Sequence, residues 1–531
     1  MKHLKHLLTA LLLLCCVGTA TAHDFKADGI YYNITDVANK TVAVTYKGTS
    51  YSQFSDEYTG NVVIPESVAY NGTTYSVTSI GVCAFCDCSG LTSIVIPNSV
   101  TSIGRSAFLN CTGLTSIVIP NSVTSIGNAA FYNCTGLTNI VIPNSITSIG
   151  SDAFYKCTGL KEVHISDIAA WCNIGFDDFN ANPLNYAKNL YMNGELITEL
   201  VIPDGVTSIR DYAFYNCTGL TNIEIPNSVT RIGDGAFYGC TSLKELCIAD
   251  GEGTLSLGYN VSNEELFYDC PLETLYLGRN LSYSTEYNYE YNYGYSPFYN
   301  KSTLTSVTIG NSVTSIESYV FYNCTSLTSI KIPNSVTSIG NTAFSGCTGL
   351  TSIEIPNSVT TIGMDAFRGC SGLTSVVIGN SVTSIGNSAF SGCSRLASIV
   401  IGNSVTSIGY SAFYGCTGLT SIEVDGNNTK YDSRENCNAI IETKTNTLIL
   451  GCNNTVIPNS VTSIRSSAFS DCTGLTSIEI PNSVTSIGSS AFSGCKGLTS
   501  IVIGNSVTTI GDDAFRGCTG LTSVEVDGNK I

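Results

Sequence analysis

The chain has 531 residues, of which 43% are hydrophobic and only 12% charged, with a formal net charge of −17. Such a composition excludes an intrinsically disordered chain. The excess of acid excludes a nucleic-acid binder, which needs clustered Lys and Arg to neutralise phosphates. Length alone would suggest three or four domains of about 150 residues each, unless the chain is one repeat array.

The chain opens with an export address. Lys2 and Lys5 give a positive start, Leu7 to Val17 an apolar stretch, and Ala20-Thr21-Ala22 a small-residue cleavage pattern. The apolar stretch falls short of the ~20 residues needed to span a bilayer. Leu14 before Cys15 lacks the small residue that a lipoprotein signal would carry. Residues 1–22 therefore read as a signal peptide cleaved after Ala22, and the mature protein as secreted or cell-surface, with no membrane span. Residues 23–58, with GIYYNIT and TVAVTYKG, alternate polar and β-forming residues and read as an N-terminal β cap. A cap of this kind would cover the apolar end and the open strand edge of a stacked array.

From residue 59 onward the chain is one unit repeated. Residues 91–113 read LTSIVIPNSVTSIGRSAFLNCTG and 114–136 read LTSIVIPNSVTSIGNAAFYNCTG, a period of 23 residues. Close and degenerate copies together make about 18 rungs over 59–531, with insertions at 160–196, 243–303 and 425–451. Ile94 and Ile96 alternate with Ser93 and Val95, the period of a half-buried strand. Pro97-Asn98-Ser99 turns the chain, and Val100-Thr101-Ser102-Ile103 is a second short strand of β-branched residues. Ala107, Phe108 and Cys111 then drop apolar groups inward on a short helical or 3₁₀ turn. The expected fold is a β-rich leucine-rich-repeat solenoid with parallel sheets.

The pattern LxxIxIPxxVxxIGxxAFxxC, carried from about Thr59 to the end of the chain, resembles the BspA-like leucine-rich repeat family of bacterial surface and secreted proteins. That resemblance implies surface exposure and adhesion to host matrix proteins or to other cells.

The insertions carry the individual features. Residues 160–196 hold Trp171, the single tryptophan, and Asp167 is placed to N-cap a short helix there. The segment is either a binding loop or a flap that buries Trp171 on a rung. Residues 283–299, YSTEYNYEYNYGYSPFY, put Tyr287, Tyr289, Tyr291, Tyr293 and Tyr295 on one side of an extended strand. Tyrosines so placed suit sugar stacking or protein contact, or else simply cover the surface. Residues 437–452 read as a β-hairpin; a two-residue turn at Lys444-Thr445 would set Cys437 opposite Cys452, within reach of a disulfide, unless the register slips by one. At the other end VEVDGNKI reads as one strand of a new rung with no polar cap, as in an incomplete gene product.

Most of the cysteines, among them Cys88, Cys111, Cys134 and Cys347, share one place in the rung. They read as a buried thiol ladder, since a free cysteine packs as a small hydrophobe. Cys83, Cys86 and Cys88 cluster in sequence, but no second cluster completes a four-ligand zinc site. After export only His23 and His164 remain, with no HExxH, GxSxG or phosphate-loop motif. No catalytic residue, metal or cofactor is expected. The leading reading is a secreted or surface adhesion protein that recognises proteins or glycans on host or bacterial surfaces. It would use the outward column of the sheet, with Val95, Val118, Val141, His164, Glu224, Lys331 and Glu354 as candidate contacts. The alternative is a carbohydrate-binding or polysaccharide-processing solenoid centred on the tyrosine-rich insertion.

Overall fold

A computed structural model describes residues 23–48, 56–258, 266–283, 297–526 and the backbone of 529–530. It is a parallel-sheet β-solenoid of about 19 turns with very little helix. The chain divides into two compact units. The first comprises residues 1–220, 232–242 and 266–270, and the second 221–231, 243–265 and 271–531. The signal segment 1–22 and Tyr287, Tyr289, Tyr291, Tyr293 and Tyr295 lie outside the described residues.

The first unit begins with antiparallel strands β1 (Phe25–Ala27), β2 (Ile30–Asp36) and β3 (Thr41–Thr45). Strand β4 (Gly60–Val63) opens the first rung, and β5 (Ser67–Tyr70) folds back on β6 (Thr73–Ile80). Strand β3 pairs in parallel with β6, with Val42 opposite Val77, so the leading strands continue the sheet of the rungs. The next rung supplies β7 (Leu91–Val95), parallel to β4, and β8 (Ser102–Ile103), parallel to β6.

The rung is built by alternation and by close approach. Ile94 and Ile96 point into the core while Thr92 and Val95 face out. After β8 the backbone of Gly104 passes so near the preceding rung that a Cβ there would lie 2.8 Å from the Ile80 carbonyl oxygen. Glycine is required at that place by contact with the neighbouring rung.

The segment expected to be a short helical or 3₁₀ turn is a run of turns with the three-residue hydrogen bonds of a 3₁₀ turn. Ala107, Leu109 and Cys111 N–H groups donate three residues back, to Gly104, Ser106 and Phe108. Two left-handed residues, Ser106 at φ 54° and Asn110 at φ 59°, keep the chain from continuing as a helix. The alternate amides, those of Ser106, Phe108 and Asn110, donate to the Asn128, Ala130 and Tyr132 carbonyls of the next rung at 2.7–2.8 Å. Each turn therefore satisfies its backbone only by stacking on another.

Inside, Phe85, Phe108, Phe131 and Phe154 stack at 5.2 Å with planes within 11° of parallel. The cysteines line up beside them, buried and unpaired. Each thiol donates to the carbonyl of the preceding rung's phenylalanine: Cys111 to Phe85 at 2.9 Å, Cys134 to Phe108 at 3.1 Å, Cys157 to Phe131 at 3.0 Å. The second unit repeats the arrangement, with Cys347 on Phe321 at 3.1 Å and Cys370 on Phe344 at 3.1 Å. Burial pushes the thiols of Cys217, Cys324 and Cys393 up to about 12, so they stay protonated and unreactive near neutral pH.

The insertion after Leu160 plugs its rung. Asp167 accepts from the Ala169 and Ala170 amides and caps helix α1 (Ile168–Cys172), as the sequence predicts. Trp171 is 1% exposed and its indole N–H donates to the Ala213 carbonyl at 2.8 Å. Of the two readings of this segment, the buried flap is the one observed.

The 437–452 hairpin forms, but its register changes along its length. Glu442 faces Thr447 and Ile441 faces Leu448, which is the expected pairing. A bulge between Ile440 and Ile441 then sets Ala439 opposite Gly451, one place off the expected pairing that would have aligned Cys437 with Cys452. Both thiols are free: Cys437 is directed at the Ala439 carbonyl and Cys452 at that of Asn438. The disulfide expected from a regular hairpin is thus not formed, because the bulge moves one cysteine past the other. The final strand, Ser523–Val526, does not stand alone either, since Asn529–Lys530 fold back on it antiparallel.

Candidate binding surface

The first strand of each rung presents one outward residue between two buried ones, and parallel pairing in register aligns these residues into a column. In the first unit Val63 faces Val95 and Val95 faces Val118 within one sheet. Val141 faces His164 and His164 faces Tyr191 in the next sheet. The valines are exposed, Val118 at 70%, although nothing in the fold requires an apolar residue there. His164 is half-buried: its ring stacks on Tyr191 at 4.9 Å and its Nε2 lies 3.0 Å from a Glu162 carboxylate oxygen.

In the second unit the column changes character. Glu224, Cys247, Tyr276, Thr308 and Lys331 succeed one another in register on five strands. Glu354 lies in a separate sheet, facing Val377, and Val400 faces Glu423. Glu224 and Lys331 are separated by the intervening strands and do not pair. Beside them Lys244 bridges Glu273 at 2.9 Å, and the Tyr276 hydroxyl donates to Asp250 at 2.7 Å. The expected contacts therefore form two local surfaces: an apolar one around Val95, Val118 and Val141, and a mixed, charged one around Glu224, Lys331 and Glu354.

Two members of the apolar column are additions to the residues read from sequence. Val63 was legible, because GNVVIP aligns with TSIVIP and puts Val63 where Val95 stands. Tyr191 was not, because its strand Leu190–Met192 lies inside an insertion that breaks the 23-residue count.

The three cysteines of the first rung, Cys83, Cys86 and Cys88, are all buried; the Cys86 thiol is directed at Asp87 and that of Cys88 at the Cys86 carbonyl. Among the described residues no helix is long and apolar enough to cross a membrane.

Parallel strands in register, a phenylalanine stack and a cysteine ladder define a leucine-rich-repeat solenoid. The chain belongs to the BspA type leucine rich repeat region family, which matches residues 52–182, 185–258, 293–420 and 440–531. Among solved structures, a leucine-rich repeat protein from Bacteroides ovatus is 28% identical, with 94% of each chain covered and a TM-score of 0.33. A leucine rich cell surface protein from Faecalibacterium prausnitzii is 22% identical, covering 95% of this chain and 94% of that one, with a TM-score of 0.26. The pneumococcal vaccine antigen PcpA is 17% identical over 86% of this chain and 96% of its own, with a TM-score of 0.32. No curated protein matches the chain.

Proposed function

We propose that this chain is an exported, non-enzymatic binding protein that recognises other proteins through the outward column of its sheets. The observation that carries this reading is the run of exposed valines, Val63, Val95, Val118 and Val141, on consecutive rungs. Solvated strands normally hold polar residues at such places, as Ser93, Ser116 and Asn139 do on the same strands. A continuous apolar stripe bordered by Ser, Thr and Asn is the composition of a recognition surface. Removal of residues 1–22 during export would present the column to host or bacterial surfaces, where adhesion is the role that the family resemblance implies.

The test is adhesion of the mature chain to panels of extracellular-matrix proteins, bacterial cells and polysaccharides. Binding to a protein-bearing surface that is lost on replacing the valines supports the reading. Binding to polysaccharides alone would support the alternative, a glycan binder centred on Tyr287–Tyr295. Release of reducing ends or unsaturated sugars would establish a polysaccharide-processing activity instead.

A further inference from the structure

Each unit has an interrupted rung in its own column of turns, and the two interruptions are finished differently. In a regular rung three alternate amides reach the next turn: Ser388, Phe390 and Gly392 donate to the Tyr410, Ala412 and Tyr414 carbonyls at 2.7–2.9 Å. In the first unit the rung of Asp152, Phe154 and Lys156 meets the 160–196 insertion instead. There Asp178 accepts from the Asp152 amide at 3.1 Å, the Asn180 carbonyl from Phe154 at 3.0 Å, and the Tyr186 hydroxyl from Lys156 at 2.9 Å. On the far side Trp171 and Asn182 donate to the Ala213 carbonyl. The three amides left by the missing turn, and the central carbonyl on its far side, are answered by the insertion.

In the second unit the hairpin supplies a strand, Thr447–Gly451, but cuts short the turn that should come after it. The Gly451 amide donates to the Ala468 carbonyl, the place a phenylalanine amide holds in a full rung. The amides of Ser411, Phe413 and Gly415 have no hydrogen-bond partner among the described residues. Ser411 and Phe413 line a cleft of about 90 Å³ between Tyr410–Tyr414 and Arg465–Ser470, and Gly415 follows directly after it. The guanidinium of Arg465 lies over the Tyr410 ring at 4.8 Å on its rim. Of the three residues only Phe413 is buried; an unanswered amide there costs about 1–3 kcal/mol if fully desolvated, and the contrasting plug in the first unit shows what such a gap takes.

We propose that this cleft is a binding site for a polypeptide main chain, which docks beside Gly451 and completes the shortened turn. Carbonyl oxygens of alternate residues accept from Ser411, Phe413 and Gly415, a form of backbone augmentation. The segment must be small at its centre, because the cleft of about 90 Å³ already holds Gly451, which lies hard against the Phe469 ring. Arg465 favours an acidic residue at one end. This site shares no residue with the valine column, so the two can fail separately.

The test is hydrogen exchange at residues 411–415 of the full mature chain, with and without the capped hexapeptide Glu-Ser-Ala-Ala-Ser-Gly. In the free protein the three amides exchange far faster than those of Ser388, Phe390 and Gly392. Saturating peptide slows them at least tenfold and leaves the regular rung unchanged. Ser467→Tyr narrows the cleft and abolishes the effect; tyrosine already occupies the equivalent left-handed position at Tyr212 and Tyr319, so the turn survives. Slow exchange in the free protein, no slowing at millimolar peptide, or equal slowing in the variant overturns the site. Equal slowing by acetate alone would make it an anion site and overturn the peptide assignment.

Discussion

The Cys347 thiol donates to the carbonyl oxygen of Phe321 on the preceding rung at 3.1 Å, and both residues are fully buried. This contact explains why the ladder is made of cysteine. The side chain must be small, apolar and able to donate, and no other residue combines all three. Cys347→Ala removes the donor, strands a buried carbonyl and leaves a small void. It is expected to destabilise the second unit by about 1–3 kcal/mol, read as a lower urea midpoint. No change in the midpoint would show the contact to be incidental.

The same ladder makes stability depend on alkaline pH. The folded state raises the Cys217, Cys324 and Cys393 thiols from about 9 to about 12 by burial. It therefore holds these protons more tightly than the unfolded chain. Their contribution is complete below about pH 9 and is lost as the pH climbs through 12. The slope is ~1.4 kcal/mol per pH unit for each such thiol. Urea titrations between pH 7 and 11 should show a flat region and then a steep fall. A midpoint constant to pH 11 would contradict the burial of the ladder.

Left-handed backbone at the turn gives a prediction of unusual sign. Ala129 sits at φ 53° and is not fully buried, whereas its neighbour Ala130 is fully buried in an ordinary conformation. Ala129→Gly relieves the left-handed penalty and should stabilise the first unit by up to about 1 kcal/mol. Ala130→Gly should destabilise it. Parallel thermal melts of the two variants test this, and loss of stability in both would contradict it.

Trp171 and Asp178 hold the plug of the first unit. Asp178→Ala frees the Asp152 amide and the Ser151 hydroxyl that it now accepts from, at an expected cost of about 2 kcal/mol. Because Trp171 is the single tryptophan, its fluorescence reads this unit selectively. The variant should lower the midpoint of the tryptophan signal and leave the exchange of Phe344 and Phe367 in the second unit unaffected.

The repeat was legible because each rung copies the same 23 residues, so strand period, turn residues and core positions reinforce one another. Val63 and the cysteine ladder emerge from that alignment. The register at Cys437 was not legible, since the bulge at Ile440–Ile441 depends on how the hairpin docks on the Ser463–Ile464 strand. Nor were the left-handed turn positions, which hold residues as different as Ser106, Ala129, Asp152 and Tyr319. Stacking imposes that conformation, and local preference does not. The cleft beside Phe413 could not be read at all, because it consists of amides that lack what Ser388, Phe390 and Gly392 receive from the next turn.

Binding of a protein surface by the exposed valine column is tested most directly by one comparison. Adhesion of the mature chain is measured against that of a Val95→Glu, Val118→Glu, Val141→Glu variant on the surface that binds the unaltered chain best. All three side chains are exposed at 47–70%, so circular dichroism and the melting curve should hardly change. Adhesion is predicted to fall at least tenfold. Undiminished adhesion by the folded triple variant would contradict a binding role for the column.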